Sequence, residues 1–134
     1  MKRLLLFFAV VTMLASCSSS TDTTSVVNLT VRAQDWTVNS EPNINIPLYY
    51  SCTFAMPEIN SYVFEQGLVQ AYIVFDGVQQ VLPYVQHNKD ANGAYWTRTI
   101  DYRFAAGDLT IFVTNSDFVV DPPEAMNFRV VLIK

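Results

Sequence analysis

Alternation of apolar and polar residues is the main feature of the sequence from Val26 onward. In the first alternating run Val27, Leu29 and Val31 point to one side, and polar residues lie between them. A period of two residues is the signature of a half-buried β-strand. The same period recurs in six further runs, at residues 46–54, 69–75, 79–86, 95–104, 109–114 and 127–133. The pattern therefore predicts seven strands.

Turn-forming residues separate these runs. Asp76-Gly77 and Asn92-Gly93 are strong hairpin signals, because both residue pairs tolerate the positive φ angles of tight turns. Gly107-Asp108 indicates a third turn. Pro83 interrupts the run at 79–86, where its missing N–H favours an edge position or a bulge.

One segment, residues 58–67, has the signals of a short helix. Asn60 is placed as the N-cap, and Ile59 and Phe64 occupy the two positions of a hydrophobic staple. Gly67 is placed to end the helix in a left-handed conformation.

The order of these elements predicts an all-β fold over residues 26–134, a two-sheet antiparallel sandwich of immunoglobulin-like type. An up-and-down barrel is the main alternative. A jelly-roll or transthyretin-like strand order is also compatible, because periodicity does not report which strands are neighbours.

The N-terminal region has a different character. Lys2 and Arg3 precede an apolar run at residues 4–14, which is shorter than the ~20 residues needed to span a bilayer. The run ends in Leu14-Ala15-Ser16-Cys17, which resembles the lipobox of bacterial lipoproteins. The resemblance implies cleavage of residues 1–16 as a signal peptide and a lipid on Cys17. An ordinary secretory signal is the alternative.

Residues 17–25 are rich in Ser and Thr and have no apolar side chain to pack, so we expect a solvated tether. Within it, Asp22-Thr23-Thr24 resembles an acceptor pattern for O-glycosylation in exported proteins of Bacteroidota.

Charge narrows the range of partners. The chain has 8 basic and 12 acidic residues, and two of the basic residues precede Cys17. Nucleic-acid binding requires clustered Lys and Arg, so we expect no nucleic-acid partner. An acidic chain is also poorly suited to anionic lipid surfaces, so we expect the anchor at Cys17 to be the link to the membrane.

Few residues could act in catalysis or bind a metal, so we expect that the protein is not an enzyme and has no cofactor. Cys52 lies in a strand-like run, where a free cysteine usually behaves as a small buried apolar residue. His87, the only histidine, lies in a predicted loop without a second ligand or base. Asn88 to Gly93 resembles the start of a calcium loop, but Thr99 stands where a carboxylate is required, and a hairpin is favoured.

Aromatic side chains offer the best candidates for recognition. We expect Trp36, Tyr72, Tyr84 and Trp96 to contribute to partner binding, since exposed aromatic rings stack on sugars or anchor protein partners. The alternative is that these residues simply pack along the strands.

Several segments together resemble small Bacteroidota lipoproteins with a β-sandwich domain. They are the lipobox, Trp36, Phe54 to Asn60, Gly67 to Tyr72, Leu82-Pro83-Tyr84 and Phe128 to Ile133. The resemblance implies an outer-membrane lipoprotein, without indicating the side it faces, and implies no activity. We therefore expect a binding module for a protein or glycan. An adhesin or fibre subunit assembling by strand addition is the alternative, and a small hydrolase is less favoured.

Overall fold

The computed structural model describes residues 23–43 and 46–134. In chain order the elements are β1 (Thr24–Val31), a 3₁₀ turn (Ala33–Asp35), β2 (Thr37–Ser40), β3 (Pro47–Met56), α1 (Ser61–Gln66), β4 (Leu68–Phe75), β5 (Val78–Val81), β6 (Tyr84–Lys89), β7 (Tyr95–Ala105), β8 (Gly107–Asn115) and β9 (Met126–Ile133). The predicted signal peptide, Cys17 and most of the predicted tether lie outside the described residues. β1 begins at Thr24, inside the segment predicted as tether, and Thr24 pairs with Ile133.

The strands form two antiparallel sheets, which confirms the predicted two-sheet sandwich. The four-stranded sheet has the order β1-β9-β4-β5, and the five-stranded sheet has the order β2-β3-β8-β7-β6. The first strand thus pairs with the last one, whereas constant immunoglobulin domains pair their first strand with their second. The likeness to those domains is one of architecture rather than of strand order.

The described residues form nine strands where the pattern predicts seven. One addition is β2, four residues whose register with β3 shifts between Asn39 and Ser40. The other comes from the run at 79–86, which is divided between β5 and β6. The Leu82–Pro83 peptide bond is cis, and at this point the chain leaves the four-stranded sheet for the five-stranded one. Proline thus ends a strand here, because its nitrogen cannot donate to a ladder.

Alternating residues of the central strands fill the space between the sheets. The fully buried members with less than 2% exposure include Tyr50 and Met56 on β3, Leu109, Ile111 and Val113 on β8, and Phe128, Val130 and Leu132 on β9. Because successive side chains point to opposite faces, the residues between them form the outer faces of the two sheets.

The short helix α1 begins as predicted, with the Asn60 side chain accepting a hydrogen bond from the backbone N–H of Val63 at 3.0 Å. Its end differs from the prediction, because Gly67 has a φ of −89° and is not left-handed. A Cβ on Gly67 would lie 2.6 Å from the carbonyl oxygen of Ile133. Close approach of the backbone, not a left-handed turn, is therefore why this position requires glycine.

The predicted hairpins at Asp76-Gly77 and Asn92-Gly93 are confirmed. Asp76 and Gly77 have φ angles of 48° and 75° and link β4 to β5. The β6–β7 loop closes around Asp90, whose carboxylate accepts the backbone N–H groups of Asn92 and Ala94 at 2.9 and 2.8 Å. Asp90 is thus satisfied by its own loop.

Candidate functional site

A groove of about 470 Å³ opens between the two sheets. It is formed by the end of β4, by β6 and β7, and by the segment that leads into β9. Its lining residues are Ile73, Val74, Phe75, Asp76, Tyr84, Gln86, Ile100, Glu124, Ala125, Met126 and Asn127. Its volume lies in the range typical of small-ligand pockets.

The apolar part of the groove is built from strand residues. Ile73 and Ile100 are almost completely buried at its base, one from each sheet. The rings of Phe75 and Tyr84 lie beside each other with centroids 5.7 Å apart and planes inclined by 33°. Phe75 is 39% exposed, and Tyr84 is half-buried. Together the two rings form an aromatic wall.

The polar part of the groove is a rim of carboxylates and amides, Asp76, Gln86, Glu124 and Asn127. Asn127 is held by the Thr30 hydroxyl, which donates to its side-chain oxygen at 2.8 Å. Donors and acceptors around an aromatic wall suit a ligand that has both an apolar face and several hydroxyl groups.

Trp36 does not offer its ring to a partner, because only 8% of it is exposed. Its indole N–H donates to the backbone carbonyl oxygen of Glu124 at 3.1 Å. Trp36 therefore packs in the core and holds the segment that carries Glu124, so the structure corrects its assignment to a binding surface. A buried indole N–H requires an acceptor, which explains this contact.

Trp96 is half-buried and lies under Arg98, whose guanidinium carbon is 5.4 Å from the ring centroid. The Arg98 side chain is only 12% exposed and contacts the Asp121 carboxylate at 2.6 Å. It also donates to the side-chain oxygen of Asn115 at 2.9 Å. The backbone N–H of Asp121 donates to the Tyr50 hydroxyl at 3.1 Å. This network ties the β8–β9 connection to the sandwich, and Trp96 is part of it rather than of the groove.

Tyr72 lies on the outer face of the four-stranded sheet, with Arg129 and Val81 as its neighbours on the adjacent strands. Of the four aromatic residues singled out from the sequence, only Tyr84 lines the groove. The structure therefore does not bring these four residues together.

The Cys52 thiol and the His87 imidazole lie away from the groove lining. Burial raises the pKa of the Cys52 thiol, and the negative charge of Asp35 adds to this effect. The thiol thus stays protonated near neutral pH, which makes it a poor nucleophile. His87 is exposed on the outer face of β6, opposite Thr97. Within residues 23–43 and 46–134, no three His, Cys, Asp or Glu side chains are grouped to hold a metal ion.

Sequence reasoning missed most of the groove. Phe75 alternates like a core residue, while Gln86, Glu124 and Asn127 carry no motif. These residues meet only because β4, β6 and β9 belong to two sheets that pack together.

Within residues 23–43 and 46–134, the structure contains no helix with the length and hydrophobicity of a membrane span.

Comparison with family models, curated proteins and solved structures gives no match for this chain.

Proposed function

We propose that this protein is a non-enzymatic binding module, anchored in the bacterial envelope through a lipid on Cys17, that takes a glycan in the groove between its sheets. The observation that carries the proposal is the aromatic wall of Phe75 and Tyr84 inside a rim of carboxylate and amide side chains.

A sugar ring fits the chemistry of this groove. One side of the ring presents C–H groups, which pack on aromatic faces, and its hydroxyl groups both donate and accept hydrogen bonds. Asp76 and Glu124 can accept hydrogen bonds from such hydroxyls, and the amides of Gln86 and Asn127 can both donate and accept them.

The hydrolase alternative requires His87 in a concave pocket, and His87 is not among the residues that line the groove.

The proposed location in the outer membrane rests on the N-terminal sequence. A lipid on Cys17 would anchor the chain in the outer membrane, as its likeness to Bacteroidota lipoproteins implies. Residues 18–23 lie between Cys17 and β1 and would reach about 20 Å if extended. Intact mass and membrane fractionation test the anchor. We expect a lipid-sized mass increment and a membrane location, both lost in Cys17→Ala, and a soluble, unlipidated wild type would refute it.

A glycan array probed with the purified protein tests the groove. We expect binding to a defined set of glycans that weakens by about tenfold, or ~1.4 kcal/mol, in Tyr84→Ala. Glu124→Gln and Gln86→Ala should weaken it without altering the unfolding midpoint, because both side chains lie on the rim. Tyr95→Ala is the matched control, since Tyr95 is 80% exposed and does not line the groove. Absence of glycan binding, or equal loss in the Tyr95 variant, would refute the proposal.

Strand addition is a second candidate, and the edge of β1 favours it. β1 pairs with β9 over all eight of its residues and contains neither proline nor a charged residue. The other sheet edges have features that protect them: β2 and β5 have four residues each, and β6 follows Pro83 and ends in Lys89. Exposed edges without such features pair readily with further strands.

Sedimentation velocity over a range of concentrations tests strand addition. If it occurs, particle size should grow with concentration in the wild type and stay monomeric in Asn28→Lys, which places a charge on the edge. A wild type that remains monomeric at every concentration would remove this candidate.

A further inference from the structure

The outer face of the four-stranded sheet carries exposed aliphatic side chains among its polar ones. Val26, Leu68 and Val81 point outward there and are 46%, 52% and 42% exposed. Val131 lies between Val26 and Gln70 on the same face. One face of an antiparallel sheet normally packs on the core and the other is polar. We call this surface, centred on Tyr72, Arg129 and Val131, the β9 face.

A single cation lies in the middle of the β9 face. Arg129 is flanked by Asn28 on β1 and by Tyr72 on β4. Its Nη1 donates to the side-chain oxygen of Gln79 at a long 3.3 Å. Its Nε is buried and has no acceptor. A buried N–H without a partner costs free energy, so this group needs an explanation.

The other arginines within residues 23–43 and 46–134 have partners. Arg32 and Arg98 pair with carboxylates at 2.9 and 2.6 Å, and Arg103 lies over the ring of Phe112 at 4.9 Å. Among residues 23–43 and 46–134, no carboxylate forms such a pair with Arg129. The four strands of this sheet, all of them described, contain no Asp or Glu.

We propose that the β9 face docks a protein partner that places a carboxylate on Arg129 and apolar side chains around it. A planar guanidinium can bind a carboxylate through two parallel hydrogen bonds, and the Nη atoms of Arg129, rather than its buried Nε, would donate them. A tyrosine and an arginine side by side, with exposed aliphatic residues on the same face, are also typical of interface centres. The proposal is independent of the glycan groove.

Two other occupants fit the face less well. A second copy of this chain stacked through the same face would bring two Arg129 residues together without an acidic residue between them. An anionic lipid surface attracts clusters of basic residues, whereas this face has one cation on a chain of net charge −4.

Selection from a random peptide library displayed on phage, with the purified protein as target, tests the proposal. We expect selected peptides to carry Asp or Glu flanked by aromatic or aliphatic residues. Their affinity should fall by at least about 30-fold in Arg129→Gln, because a dehydrated charge pair loses one partner. Tyr72→Ala should also weaken them, and Arg129→Glu should select peptides with Lys or Arg instead.

Controls separate this result from the glycan proposal and from loss of the fold. Arg103→Gln removes a cation from the other sheet and should leave peptide binding unchanged, as should Glu124→Gln in the groove. Unfolding midpoints of all variants should match the wild type. The proposal would be overturned by any of three outcomes. The selected peptides could lack acidic enrichment, they could bind Arg129→Gln equally well, or none of them could be sensitive to Tyr72→Ala. None of these outcomes bears on glycan binding.

Discussion

The outer faces of the two sheets differ in how their polar and charged groups are satisfied. On the five-stranded sheet the hydroxyls of Thr53 and Thr110 bond to each other at 2.9 Å. Arg103 lies over Phe112, which also meets Tyr49 edge to face at 5.6 Å. On the β9 face, Arg129 has one long hydrogen bond, and its Nε has none.

This difference separates a face suited to water from a face suited to a partner. On the five-stranded sheet the buried Thr110 hydroxyl has its partner in Thr53, and the Arg103 guanidinium packs on the Phe112 ring, so neither group is left unsatisfied. Apolar residues around a poorly satisfied guanidinium gain more from contact with a complementary protein surface than from water. Four predictions test or refine this comparison.

The largest effect on stability should come from substitutions on the inner faces, where we expect the two sheets to contribute equally to the free energy of unfolding. Ile111 in the five-stranded sheet and Leu132 in the four-stranded sheet are both fully buried. Replacing either with Ala should lower the free energy of unfolding by ~2–5 kcal/mol, through lost burial and a cavity. Chemical denaturation measures this. If one variant loses under about 1 kcal/mol, that sheet is not packed as described.

The next largest effect on stability should distinguish Arg98 from Arg129. Arg98→Gln should lower the free energy of unfolding by ~1–3 kcal/mol, because it removes the contacts to Asp121 and Asn115 and leaves their groups unpaired. Arg129→Gln should change it by no more than ~0.5 kcal/mol, because it removes only one long hydrogen bond, to Gln79. Equal losses in chemical denaturation would mean that Arg129 is structural.

A smaller effect should appear in binding of an apolar dye. The double variant Val26→Lys, Leu68→Lys should reduce the fluorescence of bound bis-ANS, because it interrupts the apolar surface of the β9 face. The matched double variant Thr37→Lys, Ala55→Lys on the five-stranded sheet adds the same charge and should leave the signal unchanged. Equal reductions would show that added charge, and not the β9 face, governs dye binding.

The smallest effect concerns the turn that links β1 to β2 and so joins the two sheets. A hydrogen bond from the Arg32 side chain lowers the pKa of Asp35. Because the folded-state pKa is depressed, Asp35 stabilises the fold above its unfolded pKa, and this contribution is lost as pH falls through the folded pKa. The pair is exposed, so the contribution is small.

Thermal unfolding across pH measures it. Asp35→Asn should have a slightly lower midpoint than the wild type at pH 7, and the difference should vanish in acid. A difference that persists at low pH would show that the ion pair is not its source.

The prediction succeeded where the information is local. The period of two fixes which side chains of each strand share a face, and Asp76-Gly77 and Asn60 specify a turn and a helix start through contacts within a few residues. Pro83 indicated an interruption. The division into two sheets at that point was not predicted, because a missing N–H is compatible with a bulge, an edge or an end.

The candidate site was predicted only in part, because Tyr84 is the one residue of the four predicted aromatic residues that lines the groove. Alternation along one strand cannot show which strand lies beside it, and the order β1-β9-β4-β5 decides that Tyr72 faces Arg129 and that Glu124 reaches the groove. Burial of Trp36 likewise depends on an acceptor 88 residues away. The sequence by itself thus determined the seven alternating runs, the hairpin turns at Asp76-Gly77 and Asn92-Gly93 and the inward residues of the runs, since these follow from backbone geometry within a few residues. The tertiary structure alone decided which outward residues meet, and that Arg129 has one long hydrogen bond and, in the described part of the chain, no carboxylate beside it.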